Sequence, residues 1–306
     1  MRPARLSDDE PESAAKAGAR AAVEQDGCPG VVPLLFPGIA QVCQGRPAEG
    51  AAIASLGVAE LATGAAVTAG QGFEHPGAAV SLVALQDLYI ASMSDYTLER
   101  QRAARLRYVP PERLIDLLPA PFSPDVLLRP EVWLGLIGMF GADLLVTRLV
   151  AGPAAFDFSR AGSPPNLFGR PFAPLPGALL ATGVGGALFT HVAIAEESFF
   201  RGWLQSSLSR ALGETPGWLV STGLFGATHA LNALFMPEED RLTYLAIYVP
   251  FITALGGYLG WVYQRLGYSL GPVVALHFWY DLLVSAFGYA LDPQRNPLSA
   301  SIRLGF

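Results

Sequence analysis

Ala195-Glu196-Glu197-Ser198-Phe199-Phe200-Arg201-Gly202 closes an apolar run that starts at Gly177. Two adjacent carboxylates thus end a stretch with the length and composition of a membrane-spanning helix, and an arginine follows the second of them four residues later. A charged side chain at the centre of a bilayer costs about 3 kcal/mol on insertion scales, so those retained there are usually part of a functional site. Two later segments supply complementary groups: Phe225-Gly226-Ala227-Thr228-His229 and His277-Phe278-Trp279-Tyr280-Asp281.

Outward from this stretch the chain stays apolar. Of its 306 residues 51% are hydrophobic and 15% charged, and its mean hydropathy is +0.36. Runs near the roughly 20 residues needed to cross a bilayer recur from about residue 49 to 290. They predict an all-α fold, a polytopic membrane helix bundle; the short alternating segments of a membrane β-barrel are not seen. Seven spans are expected, at 51–69, 77–94, 131–150, 177–194, 217–236, 242–263 and 270–290. Residues 31–43 would make an eighth, but a helix of that length reaches only about 20 Å. Pro33, Pro37 and Gly38 also interrupt it, so it reads as a re-entrant or interfacial piece. The second span carries an isolated acid, Asp87, which could be functional; the simpler reading is packing against a neighbouring helix.

The expected organisation is a polar tail over 1–30, an N-terminal membrane region over 31–130, and a membrane core over 131–306 with the motifs inside 177–290. The 95–130 loop holds six arginines, and its middle, Arg113 to Leu118, predicts a short amphipathic helix on the membrane surface. With the N-terminus inside, fourteen basic residues fall on the inner side and five on the outer. This predicts a multi-pass protein of the cell (inner or plasma) membrane with a cytoplasmic N-terminus. The net charge of −6 resides in loops and says little about partners, and nothing suggests nucleic-acid binding. Cys28 and Cys43 have no metal-type spacing and support neither a zinc knuckle nor a disulfide framework.

Helix geometry divides the roles within the first cluster. Residues four apart share a face, so Glu197 and Arg201 can pair, while Glu196 shares its side with Phe200. Adjacent residues point about 100° apart and do not present equally to one site. One glutamate is free for chemistry and the other is held by the arginine; the less paired one suits a general base. His277 lies one turn before Asp281, and a carboxylate so placed can fix an imidazole's tautomer. Of the other histidines, His75 is in a loop and His191 lies off the Glu196 face. The expected spans leave Glu196 and His229 about 20 Å apart in depth. A shared site requires the fourth helix to run past Arg201, which the lack of a breaker between Ala187 and Leu212 permits.

The order Glu-Glu-x-x-x-Arg, Phe-x-x-x-His, His-x-x-x-Asn/Asp resembles the CAAX protease and bacteriocin-processing (CPBP, or Abi) family of intramembrane endopeptidases. The resemblance covers about residues 177–290, and Asp281 stands where the prenyl-CAAX members carry asparagine. It implies a metal-independent glutamate protease without a cofactor. Glu196 would activate water, and His229 would position water or stabilise the oxyanion. His277 and Asp281 would complete the oxyanion site or orient the reacting groups, with Glu197, Arg201 and Phe225 as support. The implied partners are the lipid bilayer and a membrane-associated protein or peptide, lipidated or membrane-anchored. The rival readings are a zinc-dependent membrane protease, although no His-Glu-x-x-His is present, and an inactive membrane scaffold or bacteriocin-immunity-type protein. A transporter would show inverted repeats with broken helices in matching positions, which are not apparent.

Overall fold

The computed structural model describes Cys28 and residues 30–294. The polar tail expected over 1–30 otherwise lies outside the described residues. The fold is a helical bundle. Six helices are long and apolar enough to cross a membrane: α1 (Pro47–Gln71), α2 (Pro76–Ala103), α3 (Pro130–Ala151), α4 (Pro174–Leu212), α6 (Glu238–Arg265) and α7 (Leu270–Leu291). Between α4 and α6 lies α5 (Glu214–Ala230), which occupies the place of the span expected over 217–236. It has 17 residues and passes into a 3-10 turn at Leu231–Phe235. In a bilayer core every backbone N–H and C=O must be satisfied within the protein, which leaves helices as the spanning element for such a chain.

Local sequence sets the helix ends. α1, α2, α3 and α4 each begin with proline in the first turn, where the missing N–H costs nothing. α1, α3 and α4 are each followed by a glycine at positive φ: Gly72 (+88°), Gly152 (+73°) and Gly213 (+95°). α7 is the central helix. Its spanning stretch is 61% buried against 22% for α1 and α3, and it packs on α3, α4 and α6. Exposed residues such as Leu134, Ile137, Leu145 and Leu149 on α3 form the lipid-facing side.

The chain does not cross the membrane over 31–43. It forms a short turn and a five-residue helix, Ile39–Cys43, tucked against α1 and α2. Gly38, at φ +91°, lies so close to Gly50 and Ala54 that a Cβ there would collide with the α1 backbone. Gln41 is fully buried and bonds to the Ser92 carbonyl (3.0 Å) and Asp95 Oδ2 (3.1 Å). Arg46 Nη2 reaches the same oxygen at 2.7 Å. Burial lowers the Arg46 pKa, but attraction to Asp95 and Glu49 outweighs it, so the guanidinium is held above its usual value. In the Arg-rich loop the helix Leu114–Leu117 buries Leu114 and Leu117 and leaves Ile115 exposed. The 151–173 loop contains one small hairpin, Asn166–Leu167 with Arg170–Pro171.

The cysteine expectation needs correcting. Cys28 and Cys43 form a disulfide, with Cα atoms 5.2 Å apart. Spacing says little about pairing, because a bridge depends on where the intervening turns bring the two Cβ atoms. Here the 30–38 turns fold the chain back onto the Ile39–Cys43 helix.

Candidate active site

α4 changes its hydrogen bonding at the glutamate pair. It is α-helical over Pro174–Glu196, π-helical over Glu197–Gln205, and α-helical again over Ser206–Leu212. Such i→i+5 turns are rare and concentrate at functional sites. Glu197, Ser198, Phe200, Arg201, Gly202 and Gln205 are buried in this stretch.

The long α4 also resolves the depth problem. Glu196 lies seventeen residues before the Gly213 turn and His229 sixteen residues after it. Because α4 and α5 run antiparallel from that turn, the two side chains come to similar depth. At 1.5 Å per residue, the 39 residues of α4 extend about 58 Å, well beyond a hydrocarbon core of about 30 Å. Its far end meets the 104–113 loop, where Arg210 bonds to the Arg107 carbonyl at 2.9 Å.

Glu197 is the buried partner. Its Oε1 accepts from Arg201 Nη1 at 3.0 Å and from His277 Nδ1 at 2.8 Å. The carboxylate can only accept, so the proton on this side of His277 sits on Nδ1. His277 Nε2 then faces Asp281 Oδ2 at 3.4 Å and Glu196 Oε2 at 4.0 Å. Arg201 is as deeply buried as Glu197 and gives its other nitrogen, Nη2, to the Gly256 carbonyl of α6 at 2.9 Å.

Phe225 links this pair to His229. Its ring lies under the Arg201 guanidinium at 4.4 Å, edge-on to Phe200 at 5.0 Å and beside the His229 ring at 4.4 Å. The Phe225 carbonyl takes His229 Nδ1–H at 2.9 Å. A carbonyl only accepts, so neutral His229 keeps its proton on Nδ1 and leaves Nε2 as a base. The end of α5 is tied to α6 by Tyr244, whose hydroxyl donates to the His229 carbonyl at 2.9 Å.

These groups meet at one place. Glu196, His229 and Asp281 line a cavity of about 590 Å³. A small adjoining cleft carries Glu196, His229, His277 and Asp281 together. Glu196 Oε2 has no hydrogen-bond partner among the described residues. Elsewhere, His191 pairs with Glu60 at 3.0 Å, and His75 caps α2 by accepting from the Gly77 N–H at 3.1 Å. Among the described residues, no three His, Cys, Asp or Glu side chains are arranged to hold a metal ion.

Three contributors were not singled out from the sequence as parts of the site. Gly256 supplies a carbonyl, and a Cβ there would lie 2.5 Å from the Phe225 ring. Tyr244 holds His229 from 15 residues away in sequence. Asp87 lines the cavity from α2. No spacing rule reaches Gly256 or Tyr244; for Asp87 the signal was an acid inside a span.

Residues 178–283 match the family described as type II CAAX prenyl endopeptidase, Rce1-like. The chain carries an Rce1-like domain. No curated protein and no solved structure matches it. The Rce1-like domain runs from the start of α4 to just past Asp281 in α7 and contains every motif residue named above. It makes the chain a CAAX-type protease, a peptide hydrolase. The apolar helices embed that protease in a membrane, where it acts on membrane-associated substrates. α1, α2 and α3 precede the Rce1-like domain, and of these α2 lines the cavity, with Val80, Val83 and Asp87.

Proposed function

We propose that the chain is an intramembrane endopeptidase of glutamate type. The carrying observation is the meeting of Glu196, His229, His277 and Asp281, from three helices, on one cleft in the interior of the bundle. In this reading Glu196 takes a proton from a water held by His229 Nε2, and the water oxygen bonds to the scissile carbonyl carbon. The negative charge on the carbonyl oxygen is met by the proton held between His277 Nε2 and Asp281. As the C–N bond breaks, Glu196 returns its proton to the leaving amine. Glu197 and Arg201 hold the His277 ring and do not touch the substrate.

The protease core is assigned to residues 131–306 and the substrate to a lipidated or membrane-anchored protein or peptide, because a cleft among helices is reached through the bilayer. No metal and no cofactor enters this mechanism. The protein is placed in the cell (inner or plasma) membrane, with its N-terminal end and the Arg-rich loop cytoplasmic, on the arginine asymmetry. Cytosolic reductants keep thiols open, so Cys28 and Cys43 would close there only on oxidation. The test is a comparison of cells carrying the wild type or Glu196→Gln at equal membrane levels. The reading expects a membrane or secreted precursor of higher mass to accumulate only with the variant; identical protein profiles would favour a scaffold or immunity role instead.

A further inference from the structure

We infer that Asp87 is a positioning residue for this reaction: a buried carboxylic acid that donates, through a water in the cavity, to the free oxygen of Glu196. The inference rests on the proteolytic reading above, and it adds a residue that lies outside the matched 178–283 domain.

Asp87 projects from the middle of α2 and is only 6% exposed. It lines the cavity that holds Glu196, His229 and Asp281, and it also borders a neighbouring apolar cavity of about 450 Å³ against α1. Its Oδ2 has no hydrogen-bond partner among the described residues, and Glu196 Oε2 is in the same condition. Two unsatisfied oxygens on carboxyls that line the same cavity are costly unless something donates to them. A water between the two carboxyls can donate to both, and the repulsion between the pair is relieved when one of them carries a proton.

The surroundings of Asp87 decide which one. The charged groups facing it are Glu196, Glu60 and His277. On the α1 side Glu60 is already paired with His191 of α4, and Glu49 adds another acid to the apolar cavity. On the α7 side His277 is committed to Glu197 and stands beside Asp281. His229 of α5 gives its Nδ1 to a carbonyl. No arginine or lysine lines either cavity that Asp87 borders, among the described residues. With His277 engaged by other carboxyls and no cation of its own, a carboxyl this buried is favoured as the neutral acid. Glu196 is the more open of the two, with 24% of its side chain exposed, and is the one the cavity water can solvate. The proton bookkeeping of cleavage is unchanged. Glu196 takes the proton of the attacking water and returns it to the amine, while the Asp87 proton stays on Asp87 and orients Glu196 throughout.

The test uses the full chain in detergent or liposomes, with a quenched fluorescent peptide carrying an S-farnesylated cysteine three residues from its C-terminus. Asp87→Leu removes the donor and is expected to lower kcat about ten- to a hundredfold, the worth of a hydrogen bond to a charged group, with KM within about twofold. Asp87→Asn keeps a donor that cannot ionise. It is expected to lower kcat less than tenfold and to move the alkaline fall of the kcat profile upward by at least about one pH unit, because Asp87 can no longer lose its proton and repel Glu196. Infrared difference spectra of wild type and Asp87→Asn should show a protonated-carboxyl C=O band at neutral pH that the variant lacks. Superimposable pH profiles, an unimpaired Asp87→Leu, or no difference in that band would each overturn the inference. If the wild type leaves the peptide intact, the proteolytic reading falls, whereas the infrared band still reports whether Asp87 holds a proton.

Discussion

Glu196 and Glu197 are neighbours in sequence with opposite surroundings. Glu197 is sealed between Arg201 and His277, whereas Glu196 opens on the cavity with one oxygen unpartnered. Their variants should therefore differ in type of defect. Arg201→Met takes the arginine from a buried ion pair and leaves Glu197 with His277 alone, which should destabilise the protein by about 3–5 kcal/mol, seen as a lower melting temperature in detergent. Glu196→Gln should leave that melting temperature within a degree or two and abolish cleavage. Asp281→Asn offers His277 Nε2 a similar acceptor and should keep cleavage within about tenfold, while Asp281→Leu should lose more. Equal losses for the Asn and Leu variants would contradict a hydrogen-bonding role for Asp281. The i, i+4 pairing of Glu197 with Arg201 was legible because it lies within one helix. The bond from Glu197 to His277, 80 residues away, was not, since it depends on how α4 and α7 pack.

The elements show where helix arithmetic sufficed and where it failed. The continuity of α4 could be read from a stretch without breakers that ends at Gly213. The π-helical turns at Glu197–Gln205 and Tyr244–Tyr248 leave no mark in hydrophobic periodicity, because one widened turn shifts the helical register too little to alter the apolar pattern. The expected 217–236 span was too long at its far end, where the chain tightens into a 3-10 turn before Pro237. Close approach of α5 and α6 depends on small residues: a Cβ at Gly256 would press on the Phe225 ring, and one at Gly226 would collide with Thr253. Gly256→Ala should cost about 1–3 kcal/mol through overpacking and displace Phe225 from Arg201. Thermal unfolding beside cleavage of the farnesylated peptide checks this; a fully active variant of wild-type stability would show that the α5–α6 contact is looser than described.

For the whole molecule, composition alone indicated a membrane bundle, and the six long helices agree. The cysteine bridge was hidden, because its two ends meet only through the turns of the 30–38 segment. Sidedness follows from a charge count and can be tested with the same cysteines, the only two in the chain. After reduction, they should resist a membrane-impermeant maleimide in intact cells and react once the cells are permeabilised. Reaction in intact cells would put the Arg-rich side outside and reverse the orientation. The central claim, that Glu196 activates the hydrolytic water without a metal, is tested most directly by cleavage of the farnesylated peptide with purified protein. Wild type and Glu196→Gln would each be assayed with and without a strong chelator. The account predicts wild-type cleavage that the chelator leaves unchanged and none above background from Glu196→Gln. Loss of wild-type activity to the chelator with rescue by zinc, or undiminished cleavage by Glu196→Gln, would contradict it.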